Sequence, residues 1–495
     1  MADYNEILHK LSDFLWASPN KIPGVNIPGL GDLPILAVLL LGTGIYLTVA
    51  LRFMPILSIP RAFAMLWKGR KTDNDEGQIT PFAALMTALS STVGTGNLAG
   101  VATAITMGGP GAIFWMWMTA LVGMATKYAE SLLAVRYREV DENGNYKGGP
   151  MYYIKNGLGP KWKWLAMIFC IGAAASAITS GNMVQATGIA QVAQESFHLP
   201  PVATGLLLSG LAFAVIVGGI KSIGNFASKL VPFMAFSYIA AAIIVLASNA
   251  SGIPTAFKLI FTDAFSGHAA IGGFTGAAIA QAIRFGIARG LFSNEAGQGS
   301  APIAHAAAKT KDPVQQGTIA MLGTFIDTIV ICTMTALVIL TVKGNFSVEV
   351  DGVRQAVDFA WQTNHEGARI TQEAFAAGIS GGNYIITFAL IIFAFTTILG
   401  WSYYGERTVS YLFGEKVVFP FRIFWVLFVF LGAIQEVKVA WTLSDIGNAM
   451  MAAPNLVAVL LLSGIVVSMT RGGSRHRKIH PHDESEHAKG LHSTD

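Results

Sequence analysis

Residues 90–97 read Ser-Ser-Thr-Val-Gly-Thr-Gly-Asn and interrupt a run that otherwise has the composition of a buried apolar helix. Two glycines, several hydroxyl side chains and an asparagine all weaken an α-helix. In lipid, each backbone group that leaves a helix must find a partner inside the protein. The surrounding sequence therefore has to explain why this stretch is placed here.

The composition identifies the class of protein. Of 495 residues, 53% are hydrophobic and 13% are charged, whereas soluble domains carry about 25% charged residues. The mean hydropathy is +0.53. Apolar runs of about 20 residues, long enough to cross a bilayer as helices, recur along the chain. We predict an all-α integral membrane protein in the lipid bilayer, and the net charge of +4 does not indicate nucleic-acid binding.

The apolar runs predict one leader span and ten core spans, eleven in all. The leader covers about 33–51. The core spans cover about 79–105, 111–135, 164–194, 202–220, 230–248, 272–300, 316–342, 376–400, 418–434 and 441–468.

This count divides the chain into four regions. Residues 1–78 comprise an interfacial segment, the leader span and a cytoplasmic linker. Residues 79–250 and 251–468 are predicted to form a first and a second five-helix repeat, and residues 469–495 a disordered cytoplasmic tail.

Lysine and arginine residues orient the spans. They are concentrated in alternate connecting segments, among them 52–78, 136–163 and 469–495, and are sparse in the others. Positively charged loops remain in the cytoplasm. We therefore predict an outside N-terminus and a cytoplasmic C-terminus in a plasma membrane, the cell inner membrane if the source is bacterial.

Three segments outside the core spans have predictable features. Apolar residues at helical spacing in 1–31 predict a short amphipathic helix at the membrane interface. The outer segment 343–375 is predicted to form a short surface helix. The tail 469–495 holds five of the ten histidines, which is compatible with metal binding but is more typical of a disordered tail.

Three interpretations of the stretch at 90–97 were compared. A dinucleotide or phosphate loop requires a preceding β-strand, and here the run is a membrane helix. Close helix packing explains many glycines in membrane proteins, but it does not explain the neighbouring polar residues. A helix that unwinds near Val93 to Gly96 explains both, because it exposes carbonyl and N–H groups to a binding cavity.

A second interrupted span supports the third interpretation. Residues 284–300 are again rich in glycine and polar side chains, and they lie five spans after the first stretch. Because five is odd, a five-span repeat returns with inverted orientation, and paired interruptions are typical of inverted-repeat transporters. The residues of 284–300 expected nearest mid-membrane are Phe285 to Ile287.

Several motifs resemble one family of membrane proteins. Residues 108–117, GGPGAIFWMW, resemble a signature of the alanine or glycine:cation symporters, also called sodium:alanine symporters. Residues 94–97, 148–153, 289–299 and 400–406 also resemble landmarks of this family. The resemblance implies the leucine-transporter fold, with a 5+5 inverted repeat after the leader span.

The resemblance and the broken-helix interpretation together suggest a substrate site. Thr95, Gly96 and Asn97 are expected to hold the carboxylate of an amino acid. The remaining candidates contact its ammonium group and side chain or line the same cavity, and they are Gln185, Phe285, Gly286, Ile287 and Trp401.

The same resemblance implies a sodium site where the first and eighth core spans meet. Its ligands would be the carbonyls of Ser90 and Val93 and the hydroxyls of Thr396 and Thr397. Neutral oxygens suit sodium, a hard cation, whereas proton coupling usually requires a titratable group. Lys229 keeps a proton-coupled alternative open, because a lysine replaces the ion in proton-coupled relatives of this fold.

Charged residues within the spans form a separate set of candidates, because an unpaired charge in a membrane is costly. They are Lys127, Glu130, Arg289, Glu295 and Asp327. The expected arrangement is a structural or gating salt bridge, either Arg289–Glu295 or Arg289–Asp327.

The predicted function is the import of a small neutral amino acid, alanine or glycine, coupled to sodium as the coupling ion. A proton-coupled or glutamine-preferring carrier of the same fold is the alternative. A channel is a further possibility, since broken helices also build pores. An enzyme is disfavoured, because the sequence has no nucleophile elbow, HExxH motif or P-loop.

Overall fold

A computed structural model describes residues 34–71, 76–142, 144–266, 275–350, 353–363, 365–435 and 437–472. The predicted interfacial helix at 1–31 and the histidines of the tail lie outside the described residues.

The described chain is built almost entirely of helices. The first half contains α1 (Ile35–Ala50), α2 (Met54–Leu57), α3 (Ile59–Lys68), α4 (Pro81–Thr92), α5 (Val101–Gly108), α6 (Ala112–Arg136), α7 (Pro150–Tyr153), α8 (Lys163–Ser176), α9 (Val184–Phe197), α10 (Pro201–Ile216) and α11 (Gly219–Ser248). The second half contains α12 (Ile253–Ser266), α13 (Thr275–Asn294), α14 (Ala301–His305), α15 (Pro313–Thr324), α16 (Thr333–Thr341), α17 (Ala368–Gly378), α18 (Gly382–Phe413), α19 (Val418–Ile434), α20 (Val437–Leu461) and α21 (Ser463–Arg471).

Short tighter or wider turns join several of these helices. The π-helical turns are Gly96–Gly100, Ile154–Leu158, Ala177–Met183 and Phe325–Cys332. The 3₁₀ turns are Gly69–Lys71, Pro160–Trp162, Ala250–Gly252, Ala360–Gln362 and Glu415–Val417.

The helices have the length and composition of membrane spans. Within the described residues, six helical stretches are long and apolar enough to cross a bilayer, and α1 and α10 are shorter apolar helices. Large apolar side chains such as Phe236 and Leu206 are exposed on the outer surface, where lipid rather than water suits them. The prediction of a multi-pass helical membrane protein is confirmed.

Two antiparallel hairpins connect helices outside the spans. Strands β1 (Glu139–Val140) and β2 (Tyr146–Lys147) follow α6. Strands β3 (Phe346–Val350) and β4 (Val353–Val357) pair with Phe346 opposite Val357. The valines expected on a surface helix in 343–375 therefore lie on a hairpin, and helix α17 begins only at Ala368.

The first predicted interruption is present at Val93. Helix α4 begins at Pro81, and the Thr80 side chain caps it by accepting a hydrogen bond from the Ala83 N–H at 3.1 Å. The helix ends at Thr92, because Val93 adopts an extended conformation with φ −78° and ψ 96°. The chain becomes helical again at Thr95 and continues through a π turn into α5.

The second interruption lies later than Phe285 to Ile287. Helix α13 is continuous to Asn294, and residues 295–300 are not helical. Glu295 has φ +55°, and Gly297 and Gly299 also have positive φ, a conformation that ends helices. Gly286 instead permits close packing, since a Cβ there would lie 2.6 Å from Cβ of Trp115 on α6.

Hydrogen bonds from one arginine, just after the end of α6, join two segments. The guanidinium of Arg138 donates to the carbonyls of Ala306, Ala308 and Thr310, which follow α14, and to that of Glu76, which precedes α4. The same two segments form a parallel bridge between Ile79 and Ala308. The start of α4 and the end of α14 are thus joined directly.

Candidate functional site

The interruption at Val93 leaves backbone groups at the end of α4 without their usual partners. The Gly94 N–H donates to Asn97 Oδ1 at 2.9 Å, and the Thr95 N–H donates to Gln185 Oε1 at 3.1 Å. In a continuous helix these two N–H groups would bond the carbonyls of Ser90 and Ser91. The carbonyls of Ser90 and Ser91 therefore lack the hydrogen bonds that a continuous helix would give them.

The hydroxyl of Thr397 on α18 reaches this interruption. Its Oγ1 donates to Val93 O at 3.2 Å and to Phe393 O at 3.0 Å. The Thr396 hydroxyl instead bonds Phe393 O at 2.9 Å and lies 3.7 Å from Met234 Sδ on α11. Adjacent helical residues point about 100° apart, so the structure brings Thr397 to Val93 and directs Thr396 away from it.

Glycines allow α18 to approach both neighbouring elements. A Cβ at Gly400 would lie 2.9 Å from the Ser90 hydroxyl and even closer to that of Ser91. A Cβ at Gly181, in the π turn between α8 and α9, would overlap the indole of Trp401. Ser90 of α4 therefore packs against Gly400 of α18, and Trp401 of α18 packs against Gly181.

A buried carboxylate connects the two interruptions. Asp327 Oδ1 accepts from Asn97 Nδ2 at 2.6 Å, and its Oδ2 accepts from Ser293 Oγ at 2.6 Å and from Thr328 Oγ1 at 2.8 Å. Asn97 follows the first interruption, and Ser293 lies one residue before the end of α13. Asp327 therefore fixes the two interrupted helices relative to each other.

The end of α13, rather than its middle, contacts the first interruption. A Cβ at Gly96 would lie 2.9 Å from Cδ1 of Phe292 and 3.3 Å from Cα of Ser293. Phe285 precedes Ser293 by about 12 Å along the helix axis. The structure therefore does not bring Phe285, Gly286 and Ile287 to Thr95–Asn97, because α13 remains helical through them.

The predicted pairs of Arg289 with Glu295 or Asp327 are wrong. Arg289 Nη2 lies 3.7 Å from Asp445 Oδ2 on α20, and its guanidinium stacks over Trp441. Glu295 follows the last helical residue of α13 and has φ +55°, so helical spacing from Arg289 does not determine where its side chain lies. Asp327 bonds only neutral donors among the contacts described above.

Glu295 is bonded to α18 instead. Its Oε1 accepts from the indole Nε1 of Trp401 at 2.9 Å, and its Oε2 accepts from the Ser300 hydroxyl. Glu295 and Trp401 are both almost fully buried. The second interruption and the helix that carries Thr397 are thus joined by a carboxylate.

A polar network that the sequence analysis did not identify supports the second interruption. Asn455 on α20 donates to the Glu130 carboxylate and to Gly297 O, the latter at 2.9 Å, and it accepts from the Tyr153 hydroxyl. An asparagine in an apolar span was the available signal for Asn455. For Ser293, the signal was the polar pair Ser-Asn immediately before the glycine-rich residues 295–300.

Comparison with known proteins gives a consistent result. The sequence model of the sodium:alanine symporter family matches residues 25–487. The sodium/alanine symporter AgcS of Methanococcus maripaludis is 46% identical over 478 residues, covering 96% of this chain and 98% of AgcS. The probable sodium/glutamine symporter GlnT of Bacillus subtilis is 35% identical, covering 90% of this chain and 88% of GlnT.

A solved structure shares the fold. The crystal structure of MhsT in complex with L-phenylalanine has a TM-score of 0.58 and 14% sequence identity. The match covers 82% of this chain and 93% of that chain. The leucine-transporter-like architecture is therefore found in a protein with little sequence similarity.

Proposed function

Since the chain belongs to the sodium:alanine symporter family, we propose that it imports alanine or glycine together with sodium. The observation that carries this proposal is the meeting of two interrupted helices with Thr397 of α18. The chain is a membrane transporter for amino acids and not an enzyme. The substrate and the coupling ion are the parts that require experiment.

The substrate binds between the two interruptions. Its carboxylate lies at Thr95, Gly96 and Asn97, where N–H groups and the positive end of the following helix attract an anion. The Thr95 hydroxyl is buried and has no hydrogen-bond partner within the described part of the chain, so it is available to donate. Gln185 contributes by holding the Thr95 N–H.

The pocket accepts only a small side chain. The close approach of Gly96 to Phe292, together with the buried indole of Trp401, supports this limit. These residues replace Phe285, Gly286 and Ile287 in the proposal, because the latter three lie about two turns earlier in α13, away from Gly96. Each methylene that must be forced into a packed site costs about 1–3 kcal/mol.

Sodium binds beside Val93. The carbonyls of Ser90 and Val93 and the hydroxyl of Thr397 supply neutral oxygens, which suit a hard cation. Thr396 is not part of this proposed site, because its hydroxyl faces α11. Lys229 is exposed on α11, which favours sodium over a lysine-dependent proton mechanism.

The arrangement of spans follows from the same two interruptions. After α1, the first repeat would comprise five spans from α4 to α11, and the second would comprise five spans from α13 to α20. The interruptions occupy the first span of each repeat, as an inverted repeat requires. The charge distribution supports an outside N-terminus and a cytoplasmic C-terminus.

Uptake by proteoliposomes tests the proposal. We expect concentrative uptake of radiolabelled alanine or glycine when sodium is supplied outside, with no concentrative uptake in choline. Glutamine is the second candidate substrate, because GlnT is similar to this chain along most of its length. Glutamine uptake exceeding that of alanine would overturn the substrate assignment, and uptake driven equally by a pH gradient without sodium would overturn the ion assignment. Non-saturable passive flux would indicate a channel.

A further inference from the structure

We propose that Glu295 is a positioning residue: its carboxylate fixes the indole of Trp401 and thereby sets the largest side chain that the transporter accepts. This inference rests on the proposed function, because it requires Trp401 to border the amino-acid side chain. It assigns to Glu295 a role in selectivity that differs from the salt bridge expected from the sequence.

The backbone at Glu295 indicates that this side chain is needed at this position. Glu295 directly follows α13 and has φ +55°, a conformation in which glycine or asparagine is usually found. Its N–H still donates to Leu291 O at 3.0 Å. A glutamate is an unfavourable choice for such a helix end unless its carboxylate has a function.

The carboxylate makes two specific contacts and is almost fully buried. One oxygen accepts from the Trp401 indole at 2.9 Å, and the other accepts from the hydroxyl of Ser300, five residues later. The Ser300 bond fixes the carboxylate within the second interruption. The bond to the indole therefore holds α18 in a fixed position relative to the second interruption.

A buried lysine on α6 lies near Glu295. The Lys127 ammonium on α6 is buried and has no hydrogen-bond partner within the residues that the structure describes. Glu295, Glu130 and Asp327 are the acidic residues near this lysine. The geometry of the indole bond, with Nε1 2.9 Å from Oε1 of Glu295, is what holds the ring.

The ring of Trp401 is confined on its other sides as well. Gly181 packs directly against it, and the ring of Tyr404 meets it edge to face at 5.5 Å. Trp401 lies one helical turn after Thr397, which contacts Val93 at the first interruption. Loss of the Glu295 bond would leave a buried indole N–H without an acceptor, and this favours a rotated ring and a larger pocket.

The test measures selectivity in proteoliposomes for Glu295→Ala and Glu295→Gln. For each variant, Vmax/KM is determined for alanine and for valine. We expect Glu295→Ala to raise the valine-to-alanine ratio at least tenfold. Glu295→Gln should change this ratio less than threefold, because its amide oxygen still accepts from the indole. Glu130→Gln is the matched control, since Glu130 is also buried near Lys127 but bonds Asn455, and its ratio should stay at the wild-type value.

Trp401→Phe provides a second line of evidence, because it removes the N–H donor and keeps a ring. It should raise the ratio in the same direction, and adding Glu295→Ala to it should produce no further change. This variant decides the question if Glu295→Ala does not fold, as judged by size-exclusion chromatography. An unchanged ratio in folded Glu295→Ala, an unchanged ratio in Trp401→Phe, or additive effects in the double variant would each overturn the inference. Failure of the wild-type protein to transport alanine would instead overturn the proposed function.

Discussion

Replacement of Thr397 by valine tests the proposed sodium site with little change in shape. Valine keeps the branched side chain and replaces the hydroxyl with a methyl group. The hydroxyl lies 3.2 Å from Val93 O, and a Cβ at Gly94 would lie only 2.6 Å from it. The substitution therefore removes a single oxygen directly beside the interruption.

The expected change in the sodium requirement follows from the loss of the Thr397 hydroxyl. A missing partner for a buried polar group or ion costs about 1–3 kcal/mol, which corresponds to roughly 5–150-fold in an equilibrium constant. We expect the sodium concentration for half-maximal alanine uptake to rise by about this factor. The measurement is the initial rate of radiolabelled alanine uptake against external sodium in proteoliposomes.

Thr396→Val is the matched control. It removes a hydroxyl from the adjacent residue, whose contacts are Phe393 O and Met234. We expect the sodium concentration for half-maximal uptake to change less than threefold in Thr396→Val, which is about 0.7 kcal/mol or less because tenfold corresponds to about 1.4 kcal/mol. The change expected in Thr397→Val is larger. The reasoning is refuted if Thr397→Val keeps the wild-type sodium requirement or if Thr396→Val changes it equally.

Three further predictions follow from other parts of the structure. A single cysteine is introduced at Arg70 or at Gln362, both of which are exposed, while the native cysteines are buried. We expect only the cysteine at position 362 to react with an impermeant thiol reagent in intact cells. Labelling of position 70 alone would reverse the proposed orientation. Gly96→Val should abolish alanine uptake in a protein that still elutes as a single species, because even a Cβ would lie 2.9 Å from Phe292; uptake at the wild-type rate would exclude Gly96 from the site. Arg138→Gln should lower the free energy of unfolding by about 3 kcal/mol, since a buried guanidinium bonded to four carbonyls is lost; an unchanged thermal unfolding midpoint in detergent would contradict this.

The sequence was most informative where composition changed abruptly. Glycine and polar residues within an apolar run predicted the interruption at Val93, because few other arrangements satisfy backbone groups in lipid. The same reasoning located the second interruption only to 284–300. Glycine serves two purposes in membrane helices, close packing at Gly286 and positive φ at Gly297, and sequence alone does not separate them.

The sequence was less informative about the orientation of individual side chains. Thr396 and Thr397 are chemically identical, and only the rotation of α18 determines which one meets Val93. The pairing of Arg289 with Asp445 likewise depends on how α13 packs against α20. Such pairs depend on three-dimensional packing that linear spacing does not specify.

The hairpin of β3 and β4 has a local signal in the sequence. Asp351-Gly352 separates two short runs that contain alternating valines, and Asp-Gly between such runs is typical of a β-hairpin. The pairing of β3 with β4 agrees with this signal. Apolar residues alone do not distinguish a surface helix from a hairpin here, whereas the turn between them does.

The hydrogen bonds at Arg138, which join the start of α4 to the end of α14, have a mechanical consequence for transport. The N–H groups of Gln78 and Ile79 both donate to Ala307 O, and the Lys309 N–H donates back to Ile79 O. Tilting α4 alone would break these backbone hydrogen bonds, so we expect α4 and α14 to move together as one unit. We therefore expect any exit for the substrate on this side of the membrane to open where α4 packs against α11 and α18 rather than between α4 and α14.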